Sequence, residues 1–152
     1  MRTGQPPADS ADEVEEQPFA FFDDGGCFGC SPSNPAGLQL EFRRRGQLIV
    51  AECVIAERFH GAPGIAHGGI IATLLDEISC AAAVAVRSAH VVTGELAVRY
   101  RRPCPVEAPV ALSARVTAEH PRYLTIEAEL RRKDELLARS TGKFFFTAAS
   151  RA

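Results

Sequence analysis

The 152-residue chain has no basic excess: 17 Lys and Arg stand against 19 Asp and Glu, for a net charge of −2. A general nucleic-acid binder draws affinity from neutralised phosphates and needs the opposite balance. The first residues lack a basic start followed by an apolar core, so no secretory signal is expected. No segment approaches the roughly 20 apolar residues of a membrane span. A cytoplasmic location with no membrane partner is the expectation that follows. Five cysteines are an odd number, which suits free thiols in a reducing compartment better than a disulfide framework. No internal repeat is visible. What remains is the composition of an ordinary globular protein, 46% hydrophobic and 24% charged, at a length suited to one domain.

The charge that is present is unevenly placed. Asp9, Asp12, Glu13, Glu15 and Glu16 face only Arg2 in the first 17 residues, so the remainder is basic by two charges. Residues 1–17 read as a disordered acidic arm, and residues 18–152 as a single domain. Beyond the arm, Phe19, Phe21 and Phe22 supply an apolar patch. Gly29, Pro32, Pro35 and Gly37 then punctuate a loop from Cys27 to Gly37. Leu38, Leu40 and Phe42 alternate with polar neighbours as in a half-buried strand. Arg45-Gly46-Gln47 reads as the turn into a second strand, Leu48 to Ala56.

A loop from Arg58 to Ala66 precedes a helix expected from Gly68 to about Arg87, apolar nearly all round. Four strand candidates follow, centred on Leu96–Tyr100, Val110–Val116, Leu124–Leu130 and Leu136–Thr147. Runs of strands around one helix predict an α+β fold with an antiparallel sheet of about five to six strands wrapped on that helix. Such a sheet has edges to protect, so pairing with a second copy is expected.

The chemistry concentrates at the helix start. His67-Gly68-Gly69 places bare backbone N–H groups at the positive end of the helix dipole. Asp76, two turns on, lies among aliphatic residues, where desolvation penalises a carboxylate that has neither partner nor task. An oxyanion donor and an acid within ten residues outline an acyl-transfer site.

This order of elements resembles the hotdog-fold thioesterases, and most nearly the phenylacetic-acid-degradation type and its acyl-CoA thioesterase relatives. The resemblance runs from about Cys27 to Phe146. It is carried by Cys27-Phe28-Gly29-Cys30, Asn34-Pro35-Ala36-Gly37-Leu38 and Pro63-Gly64-Ile65-Ala66-His67-Gly68-Gly69, with Asp76, Thr93, Tyr100, Arg102 and Pro103. It implies a thioester hydrolase acting on acyl-CoA, in a homodimer or dimer of dimers whose site straddles two subunits. Asp76 matches the nucleophile or general base, Gly68, with Gly69 beside it, the oxyanion donor, and Thr93 the hydroxyl that orients water or acid. His67 becomes a positioning residue near the substrate. Many relatives carry an amide in the loop before His-Gly-Gly; here Phe59-His60-Gly61-Ala62 offers His60 as the substitute donor. No metal or other cofactor is required.

Each of these residues has a plainer alternative. Asp76 has a structural alternative, an acid bonded to Thr73 or a neighbouring strand, over which the His-Gly-Gly run nine residues upstream favours function; for His67 the alternative is a helix cap. Glu77, about 100° further round the helix, suits a salt bridge or a dimer contact. Cys27 and Cys30 invite zinc or redox readings, but Cys53, Cys80 and Cys104 are scattered and supply no evident third and fourth ligand. Arg99, Arg101 and Arg102 suit CoA phosphates or a solvated face. His90 and His120 read as surface or structural residues. A non-catalytic domain of the same fold that binds acyl-CoA or another small ligand is the competing function.

Overall fold

The computed structural model describes residues 14–21 and 24–148. Its elements are β1 (Glu16–Phe19), β2 (Phe42–Arg45), β3 (Leu48–Val54), β4 (His60–Ala62), β5 (Ile65–Ala66), α1 (Gly68–Arg87), β6 (Val91–Tyr100), β7 (Pro109–Glu119), β8 (Tyr123–Arg132) and β9 (Glu135–Phe146). Seven strands form one antiparallel sheet in the order β1-β2-β3-β7-β8-β9-β6, and β4 and β5 make a separate hairpin. The sheet wraps α1, which packs on β3, β6, β7, β8 and β9. This is the hotdog fold.

Hydrophobic periodicity set these elements. Val110, Leu112 and Ala114 on β7 and Leu124, Ile126, Ala128 and Leu130 on β8 alternate inward with a period of two. They meet Ile71, Leu74, Leu75, Ile78 and Ala81–Ala83 of the helix. A buried Leu or Ile there contributes roughly 2–3 kcal/mol over its exposed state. Ser88 ends α1 with φ 49°, in the left-handed region that stops a helix.

Four sequence expectations need correction. Among the described residues the sheet has seven strands where about five to six were expected, because Glu16–Phe19 pairs with β2. The acidic arm therefore stops short of Glu16; its residues 1–13 lie outside the described residues. Leu38 and Leu40 alternate without forming a strand: Gln39 at φ 51° breaks the extended run, and Leu40 N–H donates to Gly29 O instead. The helix also has the length and composition of a membrane span, 20 residues with a hydropathy of 1.8 in its most apolar window. The sheet, and not lipid, covers much of it, as its run of fully buried side chains shows.

Candidate functional site

The helix start is built by His67. Its backbone is extended (φ −62°, ψ 136°), and its Nδ1 accepts the Gly69 N–H at 2.9 Å. Its carbonyl accepts from Ile70 and Ile71. His67 is thus the cap, which satisfies one of the four donors every helix start leaves over. The Gly69 N–H is engaged by this bond. The Gly68 N–H has no acceptor among the described residues, so it is the donor the helix dipole presents outward.

Tyr100, near the end of β6, holds this turn from the other side: its hydroxyl donates to Gly68 O at 2.8 Å. Its ring stands 3.5 Å from where a Gly68 Cβ would sit, an ordinary contact. Sequence reasoning assigned Tyr100 no task, because only the packing of β6 beside the helix start reveals one. A cleft of 330 Å³ opens here, lined by Gly68, Ile71, Tyr100, Arg101, Arg102 and Pro103 among others. Arg99 points elsewhere, to the outer face of the sheet beside Arg115 and Arg139.

Two turns along, Asp76 Oδ1 accepts the Thr93 hydroxyl at 2.6 Å. The structure therefore brings together these two residues, 17 apart in sequence. Thr73, the local partner considered for Asp76, bonds instead to Gly69 O one turn back. Thr93 sits where the β6–β9 register slips between Thr93 and Glu95, the kind of irregularity that re-aims a side chain. Gly94 lies within the slip and packs against the Phe145 ring, which a Cβ there would strike.

Asp76 is half-buried, and burial raises its carboxyl above the usual range while the Thr93 bond draws it back. Cys80, one turn further, meets Thr93 Oγ1 at 3.8 Å; burial first, and the Asp76 charge second, push its thiol up to about 12. Gly69, Thr73, Asp76 and Cys80 form a helical stripe at spacings of four, three and four, the face of α1 that the sheet leaves partly open.

His60 lies on β4 with its Nδ1 2.9 Å from Glu57 O, and its strand pairs with β5 through Ala66. Gly61 packs directly on His67. The hairpin thus puts His60 beside the helix start, far from Asp76. His120 stacks on Tyr123 at the surface.

Glu77 makes no salt bridge among the described residues, contrary to one expectation for it. It turns into the loop of its own chain, where Cys27 Sγ donates to its Oε1 at 3.5 Å. Burial raises its carboxyl; bonds from Cys30 and Cys27 oppose that shift. The same burial, together with the neighbouring Cys27 and Glu77, pushes the Cys30 thiol far up. The contact escapes sequence reasoning because 47 residues separate Cys30 from Glu77.

Comparison with known proteins agrees with this architecture. A family model described as thioesterase superfamily matches residues 63–138. No curated protein matches. Among solved structures, a thioesterase superfamily protein has a TM-score of 0.69 at 24% identity over 76% of this chain, which spans 57% of that protein's length. A phenylacetic acid degradation-related protein from Ralstonia eutropha JMP134 has a TM-score of 0.66 at 19% identity, covering 77% of this chain and 92% of its own. A Streptococcus mutans UA159 protein solved with acetyl-CoA bound has a TM-score of 0.62 at 19% identity, covering 66% of this chain and 82% of its own.

Proposed function

The chain belongs to the thioesterase superfamily, and on that premise we propose that it hydrolyses an acyl-CoA thioester to a free acid and CoA. The observation that carries the reading is the half-buried Asp76 carboxylate held at 2.6 Å by the Thr93 hydroxyl on the open face of α1. A carboxyl raised by burial is a stronger base than one in water, and a single fixed hydrogen bond leaves its second oxygen for substrate or water. Gly68 N–H supplies the complementary half, a dipole-backed donor for the developing oxyanion.

The two halves cannot serve one carbonyl within one chain. Gly68 and Asp76 are eight helical residues apart, about 12 Å along the axis. A thioester needs both within about 3 Å of its reacting atoms. We therefore assign the site to two copies, the helix start of one facing the acid of the other. β6 is the route: it ends the sheet, and its ten residues have no strand on their outer side among the described residues. A long open edge pairs readily with another copy. Arg101 and Arg102 line the cleft beside Gly68 and would meet the CoA phosphates. His60 would stand by as an added polar group near the thioester. The chemistry described needs no bound metal.

The test is free-thiol release from a panel of aryl- and alkyl-CoA esters by the wild type and Asp76→Asn. Release by the wild type alone supports the hydrolase and identifies its acyl class. Tight acyl-CoA binding with no release, in folded dimeric protein, would favour the ligand-binding domain instead; the acetyl-CoA complex of the Streptococcus mutans protein gives that outcome a concrete form.

A further inference from the structure

One constellation lies outside the proposed thioester chemistry. Cys27 Sγ, Cys30 Sγ and a Glu77 carboxylate oxygen all lie within 4.8 Å of one another. The two sulfurs are 3.3 Å apart, and Cys27 Sγ is 3.5 Å from Glu77 Oε1. We propose that Cys27, Cys30 and Glu77 bind one zinc ion, with a solvent molecule as fourth ligand.

Distance supports this first. Tetrahedral zinc with bonds of about 2.3 Å to sulfur and about 2.0 Å to oxygen has S–S edges of about 3.8 Å and S–O edges of about 3.5 Å. The observed pair of separations is already close to that figure, and the sulfurs need part by only about half an ångström. The donor set is right as well: two thiolates select zinc over the hard cations that prefer oxygen alone.

Charge supplies a second argument. The other Glu77 oxygen, Oε2, is buried and has no hydrogen-bond partner among the described residues. Among the described residues no ion pair involves Glu77. A carboxylate withdrawn from water without a cation is costly, and a metal ion removes that cost.

Steric fit points the same way. Gly29, between the two cysteines, lies so close that any side chain there would collide with the Glu77 carboxylate. The glycine is what lets the acid reach the Cys27–Cys30 turn. That turn is a built one: Ser31 N–H donates to Cys27 O, and Leu38 and Leu40 N–H groups donate to Phe28 O and Gly29 O. Zinc would replace the two thiol protons, which pass to solvent. It would fasten the loop to α1 at the residue next to Asp76.

The experiment uses the full chain, purified with a phosphine reductant, incubated with zinc and gel-filtered before metal analysis. Retention of about one zinc per chain is expected, with loss in Cys27→Ser and Cys30→Ser and binding about tenfold or more weaker in Glu77→Gln. Cobalt(II) in the wild type should give a thiolate charge-transfer band and the visible bands of a tetrahedral site, a readout that needs no variant to fold. Cys53→Ser, outside the cluster, should bind as the wild type does. A reduced, folded wild type that retains no zinc and gives no charge-transfer band overturns the proposal. So does zinc retention in Cys27→Ser equal to that of the wild type. None of these readings depends on turnover.

Discussion

At the residue scale the proposed chemistry rests on the Asp76 carboxyl and the Thr93 hydroxyl bonded to it. Asp76→Asn preserves shape and removes the base, so thiol release should fall by about 10²–10⁴-fold while the protein stays folded. Unchanged release from the folded variant would refute the assigned role. The direction of the pKa shift adds a second expectation. The Asp76 carboxyl is raised in the folded state by burial, so its contribution to stability is present below the unfolded value and lost as pH rises through the folded one. At neutral pH the ionised acid is a net burden, and Asp76→Asn should melt higher than the wild type at pH 7 and lose that advantage in acid. Paired thermal melts at the two pH values decide it. Thr93→Val takes away the hydrogen bond that draws the carboxyl back down. The acidic limb of its pH–rate profile should therefore move to higher pH than in the wild type, with turnover reduced about tenfold or more. An unmoved limb would separate Thr93 from Asp76 in function.

At the scale of elements, the helix start can be tested without breaking the helix. Gly68 is the first helical residue, where proline is tolerated because its N–H is an orphan in any case. His67 before it is already extended, as a residue preceding proline prefers to be. Gly68→Pro should leave the melting temperature within a few degrees and lower turnover by about 10²–10³-fold, as expected for loss of one oxyanion donor. Full activity in kinetic assays of this variant would show that Gly68 N–H holds no oxyanion. The elements themselves were largely readable: the bounds of α1, Gly68 to Arg87, coincide with those the glycine pair and the apolar run predict. β1 was not readable, because Glu16 to Phe19 has no alternating pattern and owes its strand to the β2 edge it pairs with.

At the scale of the whole molecule, the proposed division of the site between copies gives a complementation test. Asp76→Asn and Gly68→Pro chains, each inactive alone, should regain activity when refolded together, because a mixed dimer holds one site with both groups intact. Random pairing makes half the dimers mixed with one good site in each, so about one quarter of wild-type turnover is expected. No recovery in dimers proved mixed by native mass spectrometry would place each site within a single chain. Size measurement by light scattering should find at least a dimer; a monomer with full turnover would contradict the shared site.

Sequence alone determined what depends on local order. The periods of two and 3.6 in its apolar residues set strands and helix, the His-Gly-Gly run set the helix start, and the position of Asp76 in an apolar stretch marked it as an acid in need of a partner. The family resemblance pointed to Thr93 as the hydroxyl near that acid; that the two bond directly, only tertiary structure decided. Thr93 reaches Asp76, Tyr100 reaches Gly68, and Glu77 reaches Cys27 across separations of 17, 32 and 50 residues. Those contacts follow from how the sheet closes over α1 and how the loop before β2 returns to it. Periodicity says which face of an element is buried. It does not say what will be packed against that face, because that is fixed by chain closure and the matching of shapes across the core.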